Sequence, residues 1–132
     1  MVKDASMLDL LIGFVIGLTV ATWTADCRAE EWNGTDKALF GAFIGLQVVD
    51  ALQTYEIEKH PDKWQELNPI IGDPPQWEKV VALKALEVGI VYYLLDKHST
   101  PKQRRGALWF LDGIYLGIVA SNHYSAGIRI RF

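Results

Sequence analysis

Apolar residues fall in long blocks separated by short charged ones. Four blocks stand out: Met7–Trp23, Ala38–Leu46, Val80–Leu95 and Ala107–Ala120. Three of them carry helix punctuation. Thr35 or Asp36 can cap a helix from Lys37 through Tyr55, extending to Lys59. Asp73 followed by Pro74 and Pro75 reads as an N-cap with proline in the first turn, opening a helix Pro75–Asp96. Thr100-Pro101 repeats the device for a helix Pro101–Ser121. Between the first two lies a charged loop, Glu58–Gly72, containing the turn-forming pair Asn68-Pro69. The tail Gly127–Phe132 alternates apolar and basic residues, which predicts a short extended segment. Only Lys97–Thr100 joins the last two helices, so they are expected to form an antiparallel hairpin packed side by side.

Each predicted helix shows one narrow polar stripe, whereas a helix of a water-soluble bundle is polar around much of its circumference. Gln47, Asp50 and Thr54 share a face in the first, Lys84 and Glu87 interrupt the second, and Asp112 interrupts the third. A helix of about 20 residues matches a bilayer core of about 30 Å. The expected fold class is therefore all-α: a small transmembrane helical bundle of three core helices, an N-terminal signal or anchor helix, and a short extended C-terminal tail. The division is 1–29 for a signal peptide or N-terminal membrane anchor and 30–132 for the helical membrane domain. For the first block, Leu10–Ala21 fits the apolar core of a leader, and Cys27-Arg28-Ala29 a cleavage site; Met7–Trp23 also reaches the minimum length of a span. Cleaved leader and retained anchor both stay open.

Composition narrows the classes. Of 132 residues, 50% are hydrophobic and 22% charged, and the net charge is −3, which leaves no basic footprint for nucleic acid. With one cysteine, Cys27, there is no intrachain disulfide framework and no thiolate metal cluster, and Asp26 before it breaks the pattern of a lipid-attachment box. His60, His98 and His123 lack the helical i,i+4 spacing of a metal pair, and neither a nucleophile elbow nor a phosphate loop occurs. No metal or other cofactor is expected, and no catalytic residue can be assigned. Trp64, Trp77, Tyr92, Tyr93 and Trp109 fall near predicted helix ends, as in an interfacial aromatic belt.

Candidate chemistry lies in the polar residues that lipid should exclude: Asp50, Thr54, Lys84, Glu87 and Asp112, together with Glu66, Asn68, Asn122 and His123. Lys84 is the one cation within the apolar stretches, so it should bridge Asp50 and either Glu87 or Asp112. Gly113 and Gly117 are expected to permit close backbone approach in that region. Such a cluster serves as an ion-paired core fixing helix register, or as a relay or ligand site.

The segments Trp32-Asn33-Gly34-Thr35-Asp36, Asp50-x-x-Gln53-Thr54, His60-Pro61-Asp62, Glu66-x-Asn68-Pro69-Ile70-x-Gly72, Asn122-His123 and Gly127-Ile128-x-Ile130-x-Phe132 resemble a group of small membrane proteins of bacterial and phage genomes. The resemblance spans 32–132, with Glu-x-Asn-Pro as its most distinctive part. It implies a membrane setting and brings no activity with it. The expected function is that of a non-enzymatic bacterial or phage-encoded envelope factor, in contact with membrane lipid and acting through a membrane-protein partner or as a homo-oligomer. A membrane-embedded enzyme or ion-handling protein using the charged cluster is the alternative, and a periplasmic soluble helical bundle the second. The basic stretch Lys97–Arg105 places that end in the cytoplasm and the protein in the inner membrane; leader cleavage would instead direct it to the periplasm or outer membrane.

Overall fold

The computed structural model describes residues 30–63 and 75–130. The segment 1–29, with its leader-or-anchor reading, lies outside the described residues, as do Trp64, Glu66, Asn68, Asp73 and Phe132. Three helices make up the described fold: α1, Gly34–Lys59; α2, Trp77–His98; and α3, Pro101–Tyr124. The all-α expectation holds.

The helix ends follow local chemistry. Asn33, not Thr35 or Asp36, caps α1: its side-chain oxygen accepts from the Asp36 N–H at 2.9 Å, and the Asp36 carboxylate accepts from the Asn33 N–H at 3.2 Å. This reciprocal capping box starts the helix three residues earlier than the expected Lys37 because Asp36 acts as the third helical residue rather than the cap. α2 begins at Trp77, past the expected Pro75, and Gln76 at its cap position makes no side-chain cap bond. Pro101 disfavours helical geometry in the residue before it, and both Ser99 and Thr100 are extended. Thr100 then caps α3 as expected, in a second capping box with Gln103. α3 outruns Ser121 and closes when the Ile128 N–H returns to the Asn122 carbonyl at 2.9 Å. Gly127 makes that return possible, with φ +69 in the left-handed region where a side chain is disfavoured. Residues 127–130 follow without forming a strand, and Ile128 is fully buried.

Buried positions recur every three or four residues on α1 and α3: Asp36, Leu39, Phe43, Gln47, Asp50 and Thr54 on one, Arg104, Leu108, Leu111, Tyr115, Ile118 and Asn122 on the other. That period keeps one stripe of each helix turned toward its partner. The two stripes run in the same direction: Asp36 meets Arg104, Phe43 meets Tyr115, and Gln53 meets Asn122. α2 runs antiparallel to both, bringing Leu95 to Leu39 and Leu108, Lys84 to Asp50, and Trp77 to Tyr55.

α2 and α3 run antiparallel and meet through side chains, but the expected side-by-side packing of that hairpin is loose. α1 packs most closely on α3, and α2 leans on α1 with little close backbone approach to α3. The cause is composition: α2 buries only Val80 and Leu95 fully, and the long side chains of Lys84 and Glu87 reach across to α1 and α3. Gly113 and Gly117 do not mediate close approach either. Both are exposed, and a Cβ added at either would have nothing within 4 Å.

Candidate functional site

Polar side chains share the interior with the apolar core, and several large apolar ones lie outside. Gln47, Asp50, Gln53, Thr54 and Asn122 are all 4% exposed or less, whereas Val48, Leu86, Trp109, Phe110 and Leu116 are at least 54% exposed. Among the interior polar groups two nodes stand out.

The first lies mid-bundle. Asp50, on the buried stripe of α1, takes a 2.7 Å ion pair from the Lys84 ammonium. Lys84 also reaches Glu87 at 3.8 Å, one turn along α2. From α3 the Tyr115 hydroxyl donates to the Glu87 carboxylate, and the Lys84 ammonium lies 5.2 Å from the centre of the Tyr115 ring. The next turn of α1 and α3 adds Asn122, which donates to Gln53 at 2.8 Å and to Asp50 at 3.4 Å. Gln53 in turn donates to the Val119 carbonyl at 3.1 Å. Thr54 turns its hydroxyl back on the Asp50 carbonyl at 3.0 Å, so its role is local to α1.

Of the residues singled out by sequence, the structure thus joins Asp50, Lys84, Glu87 and Asn122, with Thr54 alongside. Lys84 bridges Asp50 and Glu87, not Asp112. Asp112 is buried elsewhere on α3, and its Oδ1 has no hydrogen-bond partner. His123 is exposed, packing edge-on against Tyr124 rather than joining Asn122. Glu66 and Asn68 are outside the described residues. Sequence reasoning placed Gln47 on the polar face with Asp50 and Thr54 but did not single it out as a candidate, and it missed Gln53 and Tyr115 as site residues, although their three-or-four-residue spacing from Asp50 and Leu111 was a usable signal.

The second node, also missed, ties the start of α1 to the α2–α3 turn. Arg104 and Asp36 are both fully buried, paired at 3.1 Å. The guanidinium further donates to the Leu95 carbonyl at 3.2 Å and the Glu30 carbonyl at 2.9 Å, and it packs 4.7 Å from the centre of the Trp32 ring. Trp32 donates its indole N–H to Asp96 at 2.9 Å and stacks on Tyr92. Two cations therefore surround Asp96 and Asp36 from outside, Lys97 at 2.9 Å from Asp96 and Arg105 at 3.5 Å from Asp36. The Lys97 hydrogen bond, and then that of Trp32, holds the Asp96 carboxyl below its ordinary value. Every polar atom of Arg104 is directed at an acceptor belonging to the chain, so this node is architectural.

Chemically, the mid-bundle node holds two carboxylates, one ammonium and one phenol. Among the described residues no group of three or more His, Cys, Asp or Glu side chains gathers in a way that would hold a metal ion. Neither a nucleophile with an adjacent base nor a pair of opposed carboxylates around a cleft emerges from these contacts. Comparison of the chain with protein-family models, with curated proteins and with solved structures finds no match.

Proposed function

We propose that this chain is a small multi-spanning helical membrane protein of the bacterial or phage-infected cell envelope, acting by association in the bilayer rather than by catalysis. The observation that carries the reading is where polarity falls: polar and ionic side chains share the interior with the apolar core, while aliphatic and aromatic ones stand exposed along the middle of the helices. Exposed charges are confined to the bundle ends, outside 38–55, 80–95 and 106–122. At 1.5 Å per residue those stretches are about 24–27 Å long, close to a bilayer core of about 30 Å.

Among the described residues, only α1 is long and apolar enough to qualify as a span by length and composition, with a mean hydropathy of 1.2 over its qualifying stretch. α2 falls short through its charged residues, Lys84 and Glu87 among them, and α3 through a hydropathy that Asp112 and Asn122 lower. Those residues are directed wholly or largely into the bundle, so they do not present full charges to lipid. Exposed Gly41 and Gly45 on α1, and Gly113 and Gly117 on α3, leave two flat strips between larger apolar side chains, which suit lateral contact with another membrane helix.

The test is alkaline carbonate extraction of cell membranes carrying the tagged full chain. Retention in the pellet, with release by detergent, is the expected result. Release into the carbonate supernatant would overturn the reading and favour a periplasmic soluble bundle.

A second reading rests on a specific observation. The Lys84 and Glu87 side chains retain 15% and 25% exposure, which leaves the charged node partly open at the side where α2 and α3 stand apart. That opening favours ion handling as the alternative role.

A further inference from the structure

Gln47 lies in the middle of α1, 2% exposed, with neither its side-chain nitrogen nor its side-chain oxygen engaged. A primary amide deprived of water and of partners is costly, on the order of 1–3 kcal/mol per group. Native structures rarely leave such groups without an occupant.

Its surroundings are fixed by its neighbours. One turn before it, Phe43 packs edge-on against Tyr115, ring centres 5.7 Å apart. One turn after it, Asp50 holds Lys84 at 2.7 Å. Tyr115 and Lys84 are themselves in contact, and Tyr115 bonds Glu87. Gln47 is thus bracketed on its own helix by two residues that touch the same Lys84–Tyr115–Glu87 unit. Antiparallel pairing sets Glu87 at its level on α2, since Lys84 pairs with Asp50 and both chains step one turn from there.

Charge completes the picture. Asp50 and Glu87 contribute two negative charges and Lys84 one positive, leaving one negative charge uncompensated among these groups. The remaining donors are hard oxygens, from an amide, a phenol and carboxylates, the set that suits alkali and alkaline-earth cations rather than soft metals. A divalent ion would overshoot by one charge, and the carboxylates are too few for it.

We infer that Gln47, Asp50, Glu87 and Tyr115 frame a binding site for one small monovalent cation such as sodium. The Gln47 oxygen and the two carboxylates face the ion. Access is from the side, past Glu87, where α2 and α3 are least closely packed. The site depends on the interior of the bundle alone and stands whether or not the helices cross a bilayer.

The experiment is thermal unfolding of the purified full chain in a non-ionic detergent, titrated with sodium chloride against choline chloride at equal ionic strength and fixed pH. A saturable rise in Tm with sodium and not choline is expected. Gln47→Leu should raise the half-saturating sodium concentration by roughly tenfold or more. Glu87→Gln, which still accepts from Tyr115 but removes the surplus charge, should abolish the sodium response, and it gives the same reading if Gln47→Leu does not fold. Equal behaviour in sodium and choline, or a sodium response unchanged in the variants, overturns the site. A response to pH alone, indifferent to sodium, also overturns it and assigns the surplus charge to a proton.

Discussion

Arg104→Met removes the centre of the node that joins the first turn of α1 to the α2–α3 turn. The loss can be worked from its contacts. Three directed hydrogen bonds disappear, to Asp36 at 3.1 Å, Leu95 at 3.2 Å and Glu30 at 2.9 Å. Leu95 keeps the Ser99 hydroxyl as a donor, so its carbonyl is not orphaned. Asp36 keeps the Asn33 N–H at 3.2 Å and gains whatever Arg105 can supply from 3.5 Å. What remains is a carboxylate with no solvent exposure and half of its charge compensation gone. Breaking a buried pair from one side costs about 3–5 kcal/mol, and the surviving partners place this case near the lower end, at about 3 kcal/mol. Equilibrium unfolding in detergent, followed by tryptophan fluorescence, reads the difference. Asp36→Asn alone should also destabilise. The double variant should be more stable than the sum of the two by about 1–3 kcal/mol, because it leaves no unpaired charge. Arg105→Met is the control: its side chain is 43% exposed, and its loss should cost no more than about 1 kcal/mol. An Arg104→Met cost equal to that of Arg105→Met, or strict additivity with Asp36→Asn, would refute the reasoning.

Lys84→Met should cost about 3 kcal/mol in the same assay by stranding Asp50, and Asp50→Asn should rescue it while Asp112→Asn should not, since the ammonium sits 2.7 Å from the Asp50 carboxylate. Gly113→Ala should raise stability by up to about 1 kcal/mol, because the position is helical with nothing within 4 Å of the added carbon; a loss would show that something covers that face. Asp96 has a folded pKa below its ordinary value of 3.8, so its contribution is present above that pH and lost as pH falls through the lower folded value. Acid titration of stability should accordingly lose part of its low-pH limb in Asp96→Asn, and an unchanged limb would place the acid sensitivity elsewhere.

What the sequence disclosed, and what it hid, turns on where each charge falls relative to the apolar stripe of its helix. Asp50 falls on the stripe, between Gln47 and Thr54, and a lone cation in the facing apolar run had few places to go, so the Asp50–Lys84 pair was legible. Asp112 interrupts its apolar run just as visibly but follows Leu111, a stripe position, by one residue. A step of one residue turns the side chain about 100° around the axis, which is why Asp112 is buried away from Lys84. Arg104 was hidden by the opposite effect. It stands in the basic stretch Lys97–Arg105, where every charge reads as solvated, yet it continues the stripe of Leu108, Leu111 and Tyr115 by one further turn. Asp36 was hidden in the same way, as one capping candidate among several, although it begins the stripe of Leu39 and Phe43. The packing order of the helices was beyond local reading altogether, because a two-residue turn fixes which elements are consecutive and not which pair buries more. That preference followed from side-chain length: Lys84 and Glu87 bridge a gap that shorter apolar residues would have closed, so the bonds that make the mid-bundle node also hold α2 away from α3.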